Sequence, residues 1–558
     1  MIAPARLSPE EIKNLLLQAH ACHVEQRWEM VEKICLEILA CEVRQPFALF
    51  LLGVSSARRG NPEAAVRMMR RAIQAKEEIP LFHAQLGRTL LDLKQFEDAG
   101  RCFQRALELD PNQIDALFGM AGLHWQREEI EQNEQCLLRV AALQPEHAEA
   151  WNNLGATHVK QGRIDAAIGS FQRAVALQPR CALFLTGLGN ALHLAGRIDE
   201  SVAALKQALE IDPHFVLAHQ ILGSACFDQG DLESSLRYNL SALALQPDHP
   251  PTRFDLCLHH LLLGDYANGW REYEIRWQVF PPRRFPQPLW EGQDLRGKTI
   301  LLHAEQGLGD TLQFLRYLPL VLETGAAVLL DLSPRLRRLA MELPGPAAVF
   351  NTGDALPPFD YHTPLLSLPL RFGTTLETIP AQVPYLRAPA AAREKAASLA
   401  WPDGGLRVGL NWAGSPTRHR DVARSLALAQ LEPLFDLPGV HLFSLQMGPQ
   451  AEQLEPYRER ITDLAPATSD MADTAAQMEH LDLVISVDTA VAHMAGALGK
   501  PFWVLLSYLP DWRWLLNRPD SPWYPSARLF RQPRRGDWSA VVDAVRRALA
   551  ERAAHSST

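Results

Sequence analysis

The first half of the chain repeats one arrangement of small, large and turn-forming residues. Prolines recur with a period of 34 residues, at Pro111, Pro145, Pro179, Pro213 and Pro247. Glycines follow the same period, at Gly53, Gly87, Gly155, Gly189 and Gly223, with Ala121 in the one gap. Further columns hold alanines, one at Ala65, Ala99 and Ala167 and another at Ala72, Ala106, Ala174, Ala208 and Ala242. Because a small residue lets two helices approach and a proline ends the second helix, each unit predicts a helical hairpin.

These units resemble tetratricopeptide repeats, which stack into an α-solenoid. The resemblance covers residues 12–249, about seven units, and the first two are degenerate. Asn133, Ser201 and Ser235 replace the small alanine in their units, and we expect looser packing there. Asn239 stands where a phenylalanine is usual. A further edited helix pair and a proline-rich linker follow, over residues 250–290.

From Leu295 onward the period ends, and short apolar runs alternate with segments of helical spacing. The runs predict buried parallel strands at 299–303, 327–332, 407–411, 441–445, 483–487 and 501–506. The first predicted helix of this half covers 311–323. This alternation predicts an α/β domain with two Rossmann-like lobes, divided by the Pro/Ala-rich passage 388–405. A ligand is expected at the carboxyl ends of the strands, between the lobes.

The first candidate for chemistry directly follows the first strand, in the sequence Glu-Gln-Gly-Leu-Gly-Asp that ends at Asp310. Gly307 and Gly309 let backbone N–H groups face a ligand at the start of a helix. A dinucleotide-binding fingerprint is not complete, because its third glycine is missing. Asp310 is either a catalytic residue or the N-cap of the helix that follows.

The second candidate lies at another strand end, in 486–493. Asp488 and Thr489 place polar groups and free N–H groups at a helix start, which suits a diphosphate. His493 lies four residues beyond Thr489 on the same helical face. The alternative interpretation makes Asp488 a helix cap and His493 a histidine at the edge of the core.

Two further segments have both a functional and a structural interpretation. The turn at Ser415 precedes Arg418, Arg420 and Arg424, and forms either a phosphate clamp or a solvated basic loop. The aromatic segment 510–525 would stack a base or a sugar, or would form a buried wedge between the last helix and the first lobe. For this segment we favour the structural role, with one functional edge.

Composition and charge narrow the class of protein. The formal net charge of −9 does not support nucleic-acid binding, which needs a basic surplus. The longest apolar stretches fall short of the roughly 20 residues that a membrane-spanning helix needs, and the first residues lack the layout of a signal peptide. All eight cysteines lie in the first half and none forms a C-x-x-C pair. We therefore expect a cytoplasmic protein with free thiols and no metal site.

The segments 301–320, 408–415 and 483–501 together resemble the heptosyltransferase-like family of glycosyltransferases. The resemblance covers about 295–550 and implies the GT-B fold of two facing Rossmann-like lobes. The fusion to repeats resembles a bacterial group of repeat-containing glycosyltransferases. The order of domains is also similar to that of protein O-GlcNAc transferases, although the catalytic motifs of that family are not found here.

The resemblance implies a role for each matching residue. Asp310 matches the general base of the family. The residues that match its diphosphate-binding segment are Asp488, Thr489, Ala490 and His493. A basic residue after the middle strand also contacts phosphate in the family, and Arg418, Arg420 and Arg424 are the alternatives here because the loop differs. The implied domains are an extension at 1–11, the repeats, the 250–290 connector, an acceptor lobe at 291–400 and a nucleotide-sugar lobe at 401–558.

The resulting hypothesis is an inverting glycosyl transfer that needs no metal and no cofactor other than the nucleotide-sugar co-substrate. The repeat groove is expected to bind a protein or peptide, as acceptor or as recruited partner. The alternatives are a non-catalytic repeat scaffold with a degenerate transferase domain and a nucleotide-sugar epimerase.

Overall fold

The computed structural model describes residues 7–280, 282–414 and 423–556. The chain divides into two compact units, and the division falls inside the repeats. The repeat unit contains Met1–Ala195 and Ala203–Pro213. The mixed unit contains Gly196–Val202 and His214–Thr558, so that it joins the last repeats to the α/β part of the chain.

Helical hairpins follow one another through the repeats, in agreement with the 34-residue period. The helices are α1 Pro9–Val24, α2 Trp28–Cys41, α3 Pro46–Arg58, α4 Pro62–Ala75, α5 Pro80–Asp92, α6 Phe96–Leu109, α7 Ile114–Gln126, α8 Ile130–Leu143, α9 Ala148–Lys160, α10 Ile164–Leu177, α11 Ala182–Leu194 and α12 Ile198–Ile211. Three later helices, α13 Val216–Gln229, α14 Leu232–Leu245 and α15 Pro250–Leu262, continue the pattern in the mixed unit.

The glycine column exists because a large side chain of the second helix fills the space beside it. A Cβ atom on Gly87 would lie 2.7 Å from Phe103, and a Cβ atom on Gly155 would lie 2.8 Å from Phe171. Phe103 also closes on Gly119 of the next hairpin. Phe171 likewise closes on Gly187, so each of these two phenylalanines packs against two glycines, and the period of the sequence reflects this contact.

The polar residues in the alanine column are almost as buried as the alanines. Asn133 and Ser235 each donate a hydrogen bond to a carbonyl 12 residues earlier, of Ala121 at 2.8 Å and of Gly223 at 2.6 Å. Ser201 is fully buried as well. Asn239, which replaces phenylalanine, is fully buried with neither side-chain amide atom hydrogen bonded.

Three helices, named here the closing helices, end the repeats: α15, α16 Tyr266–Tyr273 and α17 Arg276–Val279. Their aromatic side chains Tyr266 and Trp270 pack against Trp512 and Trp523 of the α/β part. The Trp523 indole N–H donates to the Tyr266 hydroxyl at 2.9 Å. The closing helices are therefore built into the α/β part of the mixed unit.

Two parallel sheets follow. The first has the order β3-β2-β1-β4 and consists of β1 Thr299–His303, β2 Ala327–Leu332, β3 Ala348–Asn351 and β4 Tyr361–Pro364. The second has the order β10-β9-β8-β5-β6-β7 and consists of β5 Leu406–Asn411, β6 Val440–Ser444, β7 Ile461–Asp463, β8 Leu483–Val487, β9 Phe502–Leu506 and β10 Ala527–Arg531. In the first sheet Leu301 is opposite Leu329, and in the second Leu410 is opposite Ile485.

Helices connect the strands. They are α18 Leu308–Phe314, α19 Leu318–Glu323, α20 Pro334–Ala340, α21 Leu368–Arg371, α22 Ala390–Ala397, α23 Met471–Glu479, α24 Ala490–Ala497 and α25 Trp538–Ser556. The chain is thus an α-solenoid of repeats followed by an α/β domain, as the sequence predicts. None of the helices in the described ranges combines the length and apolarity that crossing a membrane requires.

One hydrophobic core extends through most of the mixed unit. It contains residues of the closing helices such as Trp270, of the first sheet such as Leu302, and of the second sheet such as Val504. A second core fills the other face of the second sheet, under α25. The two sheets and the closing helices therefore share buried apolar surface.

Candidate functional site

A cleft of about 1400 Å³ opens in the mixed unit, at the carboxyl ends of strands from both sheets. The first sheet contributes the ends of β1, β2 and β3, and the second contributes the ends of β8, β9 and β10. The closing helices form a further wall, with Phe254, Leu258, Tyr273, Arg276 and Trp277. Ligands of open α/β sheets usually bind in a cleft at the carboxyl ends of the strands.

The site loop, defined here as Glu305–Asp310, contains the turn after β1 and the first three residues of α18. The helix begins at Leu308, three residues before the predicted start, and Gly307 is its N-cap. Asp310 is therefore the third residue of the helix and not its cap. Its Oδ2 atom accepts a hydrogen bond from the Gly307 N–H at 2.8 Å. The carboxylate is thus held at the positive end of α18, with Gly307 and Asp310 both lining the cleft.

Arg513 is the ionic partner of Asp310. Its Nη2 atom pairs with Asp310 Oδ1, and its Nη1 atom lies 2.8 Å from Asp511 Oδ1. The Nε atom donates to Gln313 at 2.6 Å, and the guanidinium lies 4.2 Å from the centre of the Trp512 ring. Burial lowers the pKa of Arg513, but Asp511 and Asp310 outweigh it and raise that pKa above the ordinary value. A permanent positive charge therefore fixes the Asp310 carboxylate.

The two helix starts at the cleft are in direct contact. A Cβ atom on Gly309 would lie 2.8 Å from the His493 ring and 3.5 Å from the Cα atom of Ala490. A glycine is therefore required for the first turn of α18 to pack on the first turn of α24. Gly309 and Ala490 lie behind the lining, which Gly307, Asp310 and Asp488 provide.

Thr489 is the N-cap of α24, but its hydroxyl group is already hydrogen bonded within the protein. It donates to Asn411 Oδ1 at 2.7 Å, at the end of β5. The same oxygen accepts from the Ser486 hydroxyl at 3.1 Å. These bonds tie the turn after β8 to β5 and so fix the start of α24.

His493 is buried beneath the cleft. Its Nδ1 atom is 2.9 Å from the Tyr524 hydroxyl, and its ring stacks on Trp514 with centroids 5.5 Å apart. Burial lowers the pKa of His493 well below its usual range, and the nearby charge of Arg513 lowers it further. The imidazole is therefore neutral and acts here as a packed support for α24.

Asp488 is the buried acid of the cleft. Burial raises its pKa to about 6, the charge of Asp511 adds to the increase, and Arg424 opposes it. Its Oδ2 atom is 3.8 Å from Arg424 Nη1, and its Oδ1 atom is 3.8 Å from His493 Nε2. A group with this pKa changes its charge close to neutral pH.

The basic turn is described only in part. Arg424 lines the cleft, whereas Ser415, Arg418 and Arg420 lie outside the described residues. The aromatic segment is buried, with Trp514 and Trp523 fully enclosed, and it packs against the closing helices and α24. Its edge at Asp511–Arg513 faces the cleft.

Sequence reasoning missed Arg513 and Arg276 as parts of this site. Arg276 pairs with Glu305 of the site loop, and Arg513 pairs with Asp310. Both arginines lie among aromatic residues in the sequence, at Trp512-Arg513-Trp514 and Arg276-Trp277. A charged residue within a strongly apolar segment was the available signal, because such a residue is buried only with a partner.

Comparison with known families gives separate matches for the two halves. A model of the Cilia and flagella-associated protein 70 C-terminal domain matches residues 21–249. A model of glycosyltransferase family 9 (heptosyltransferase) matches residues 448–520, which include Asp488, His493 and Arg513. The chain joins tetratricopeptide-like repeats to a segment that is similar to glycosyltransferase family 9. The family 9 match includes β8 and β9 but does not extend to the site loop of the first sheet.

Protein FlbA of Caulobacter vibrioides is 30% identical over 324 residues, which cover 53% of this chain and 54% of that protein. The chain therefore spans about half the length of this curated relative. Among solved structures, YrrB, a TPR protein with an unusual peptide-binding site, is 23% identical with a TM-score of 0.30, covering 33% of this chain and 95% of its own. MamA is 25% identical with a TM-score of 0.27, covering 29% of this chain and 95% of its own.

Proposed function

We propose that the mixed unit transfers a sugar from a nucleotide-sugar donor to a hydroxyl group of an acceptor. The observation that carries the proposal is the contact between two helix starts, of α18 and α24, at a cleft lined by Asp310, Asp488 and Arg513. The family 9 segment supports the same class of reaction. Two parallel sheets whose strand ends line one cleft support a GT-B arrangement, in which we place the acceptor on the first lobe and the donor on the second.

In the proposed reaction the acceptor oxygen attacks the anomeric carbon of the donor. Asp310 takes the hydroxyl proton as the new C–O bond forms, and the bond to the diphosphate breaks on the opposite side, which inverts the anomeric configuration. A positioned base typically contributes about 10²–10⁴-fold to the rate. The pair with Arg513 orients the carboxylate for this step.

Charge on the departing diphosphate requires compensation. We assign this role to Arg424, which lines the cleft, with the positive end of α24 acting from behind Asp488. In this proposal, protein groups compensate the negative charge of the diphosphate, and no bound metal is required. Ser415 and Arg418 remain candidates for a further phosphate contact.

The repeats would supply the acceptor. The concave surface of a helical solenoid binds extended peptides or other proteins, so a protein acceptor or a recruited protein is the natural partner. The closing helices support this proposal because they contribute side chains such as Phe254 and Trp277 to the wall of the cleft. We also propose a cytoplasmic location, because the eight cysteines of the sequence all lie in its first half and none forms a C-x-x-C pair.

The test measures donor binding first and transfer second. A panel of ADP, GDP and UDP sugars is screened by thermal shift, where a ligand at 100 times its Kd adds about 2.7 kcal/mol of stability. With the donor so found, Asp310→Asn is expected to bind it and to lose about 10²–10⁴-fold in turnover. The matched control is Asp403→Asn, an exposed aspartate of the second lobe.

Two results would contradict the proposal. If no nucleotide sugar stabilises the protein or is consumed, the non-catalytic scaffold is the better description. If Asp310→Asn keeps nearly full turnover, Asp310 serves only α18, and Glu305 is the next acid to replace. An epimerase would be recognised by conversion of the donor sugar without any acceptor.

A further inference from the structure

Arg276 is a buried charged residue on the closing helices. It does not belong to any of the glycine, alanine or proline columns of the repeats. It is the first residue of α17, and only 3% of it is exposed. It lines the cleft together with Glu305 of the site loop. A buried guanidinium is retained only where carboxylates and hydrogen-bond acceptors compensate its lost hydration.

The compensation comes from the site loop. Arg276 Nη2 is 2.8 Å from Glu305 Oε1, and Arg276 Nε is 3.2 Å from Glu305 Oε2. Two parallel N–H···O bonds of this kind fix both the distance and the plane of the carboxylate. Glu305 is the first residue of the loop that ends at Asp310, so its position sets the path of the chain into α18.

The remaining contacts of Arg276 anchor it on both sides. Its Nη1 atom donates to Glu274 at 2.6 Å and to the Tyr273 carbonyl at 3.1 Å, and its Nη2 atom donates to the Ser367 hydroxyl at 2.9 Å. Ser367 in turn donates to Glu274 at 2.9 Å. All three nitrogen atoms of the Arg276 guanidinium therefore donate to acceptors: Nε to one, Nη1 to two and Nη2 to two.

The network is electrically balanced. Arg371 Nη2 lies 3.7 Å from Glu274 Oε2, so that two arginines face the two glutamates Glu274 and Glu305. Burial raises the pKa of Glu305, while Arg276 opposes this effect. Removal of Arg276 would leave Glu305 buried beside two other acids, Glu274 and Asp310.

A second contact joins the same two segments. The side-chain amide of Gln306 donates to the Tyr273 hydroxyl at 3.2 Å. Tyr273 is the last residue of α16, and it is buried against Trp270. Two consecutive residues of the site loop are thus bonded to two residues of the closing helices.

We propose that Arg276 is a positioning residue, through which the closing helices hold the site loop and orient Asp310 for the transfer. The inference rests on the proposed function for its kinetic part. It makes the end of the repeats a component of the active site. Truncation of the chain before α15 would then remove part of that site.

The test compares four variants with the full-length protein: Arg276→Met, Arg276→Lys, the double variant Arg276→Met/Glu305→Gln, and the control Arg271→Met. Arg271 is an exposed arginine of α16 whose side chain donates a hydrogen bond to Asn268 of the same helix. Displacement of a catalytic group by about 1 Å costs on the order of 10²-fold, so Arg276→Met is expected to lower kcat by about 10- to 100-fold. The KM for the donor is expected to change by less than about threefold, because the donor contacts belong to the second lobe.

The other variants separate positioning from a purely structural role. Arg276→Lys keeps the charge but not the bidentate geometry, so we expect an intermediate kcat. The double variant should recover part of the loss, because it no longer leaves Glu305 buried without a partner. All kinetics are measured at a temperature where each variant is fully folded by circular dichroism.

Hydrogen–deuterium exchange of residues 304–314 provides a readout that does not depend on the donor. Faster exchange there in Arg276→Met than in Arg271→Met is expected. Equal kcat and equal exchange in those two variants would overturn the proposal. If the wild-type protein has no turnover, the proposed function fails, and the exchange comparison still decides whether Arg276 holds the loop.

Discussion

The repeat unit and the mixed unit bury polar groups in different ways. In the repeat unit the partners are near in sequence: Asn133 bonds to Ala121, 12 residues away, and to Thr157, 24 residues away. Around the cleft of the mixed unit they are distant: Arg513 pairs with Asp310 across 203 residues, and Arg276 bonds to Ser367 across 91. Full charges are buried in the second case and neutral amides or hydroxyls in the first.

The difference indicates how each region responds to change. A repeat depends on its own hairpin and the next one, so damage stays local. The site of the mixed unit depends on contacts that form only when the whole unit is folded. We therefore expect substitutions there to affect stability and activity together, and substitutions in the repeats to affect stability alone.

The largest effect is expected for Arg513→Met. Removal of one partner from a buried ionic network costs about 3–5 kcal/mol, because the other charges stay buried. Loss of the pair with Asp310 should also reduce turnover by on the order of 10²-fold. Thermal unfolding and a donor-turnover assay below the melting transition measure the two effects.

The control for that variant is Arg518→Met. Arg518 also pairs with an aspartate, Asp520, at 2.7 Å, but on the surface. Exposed pairs contribute at most about 1 kcal/mol, and turnover should not change. Similar losses in both variants would mean that burial does not distinguish these two ion pairs.

Phe103→Ala tests the repeat side of the comparison. Phe103 is fully buried and fills the space beside Gly87 and Gly119, so its truncation should cost about 3–5 kcal/mol. Calorimetry should show a lower transition for the repeats, with turnover of a small acceptor retained. Leu138→Ala, at a half-exposed position of α8, should stay within about 0.5 kcal/mol. Loss of turnover in Phe103→Ala at a temperature where it is folded would contradict the separation of effects.

Asp488→Asn should stabilise the protein, in a pH-dependent way. Burial raises the pKa of Asp488 from 3.8 to about 6, so the folded state binds its proton more tightly than the unfolded state. The stability contributed by the protonated form is complete below pH 4 and is lost as the pH rises towards 6. The variant avoids this loss, and we expect it to be about 3 kcal/mol more stable than wild type at pH 8.

Melting temperatures at pH 4 and pH 8 check this prediction. The advantage of Asp488→Asn should be present at pH 8 and absent at pH 4. A variant that is destabilised equally at both values would show that hydrogen bonding by the carboxyl group, and not its ionisation, dominates.

The smallest effect is expected for Asn133→Ala, which restores the usual alanine of the repeat. It removes the hydrogen bond to the Ala121 carbonyl and the one accepted from the Thr157 hydroxyl, which keeps a second acceptor in the carbonyl of Asn153. The cost should be about 1 kcal/mol, measured by urea unfolding. A loss as large as that of Phe103→Ala would show that the buried amide organises more than its own hairpin.

The strands that the sequence predicts are the inner ones. β1, β2, β5, β6, β8 and β9 are found within one residue of the expected bounds. The four strands not predicted, β3, β4, β7 and β10, are the edges of the two sheets. Central parallel strands are buried on both faces and read as continuous apolar runs, whereas edge strands are short or half exposed and lack that signal.

The site was predictable only in its local parts. The turn with Gly307 and Asp310 and the turn with Asp488 are both visible in the sequence, because each joins the end of a strand to the start of a helix. The start of α18 was wrong by three residues, because Gly307 caps the helix and Asp310 lies inside it. The pairs Asp310–Arg513 and Glu305–Arg276 depend on tertiary contacts, for which one sequence has no periodic signature.

The shared core of the mixed unit has a consequence for the passage of substrates. Trp270, Leu302 and Val504 belong to one continuous apolar interior, although they come from the closing helices and from both sheets. Swinging the two sheets apart would expose that interior to water, at about 25 cal/mol for each Å². We therefore expect donors to enter and products to leave through a permanently open mouth, with rearrangement confined to loops at its rim.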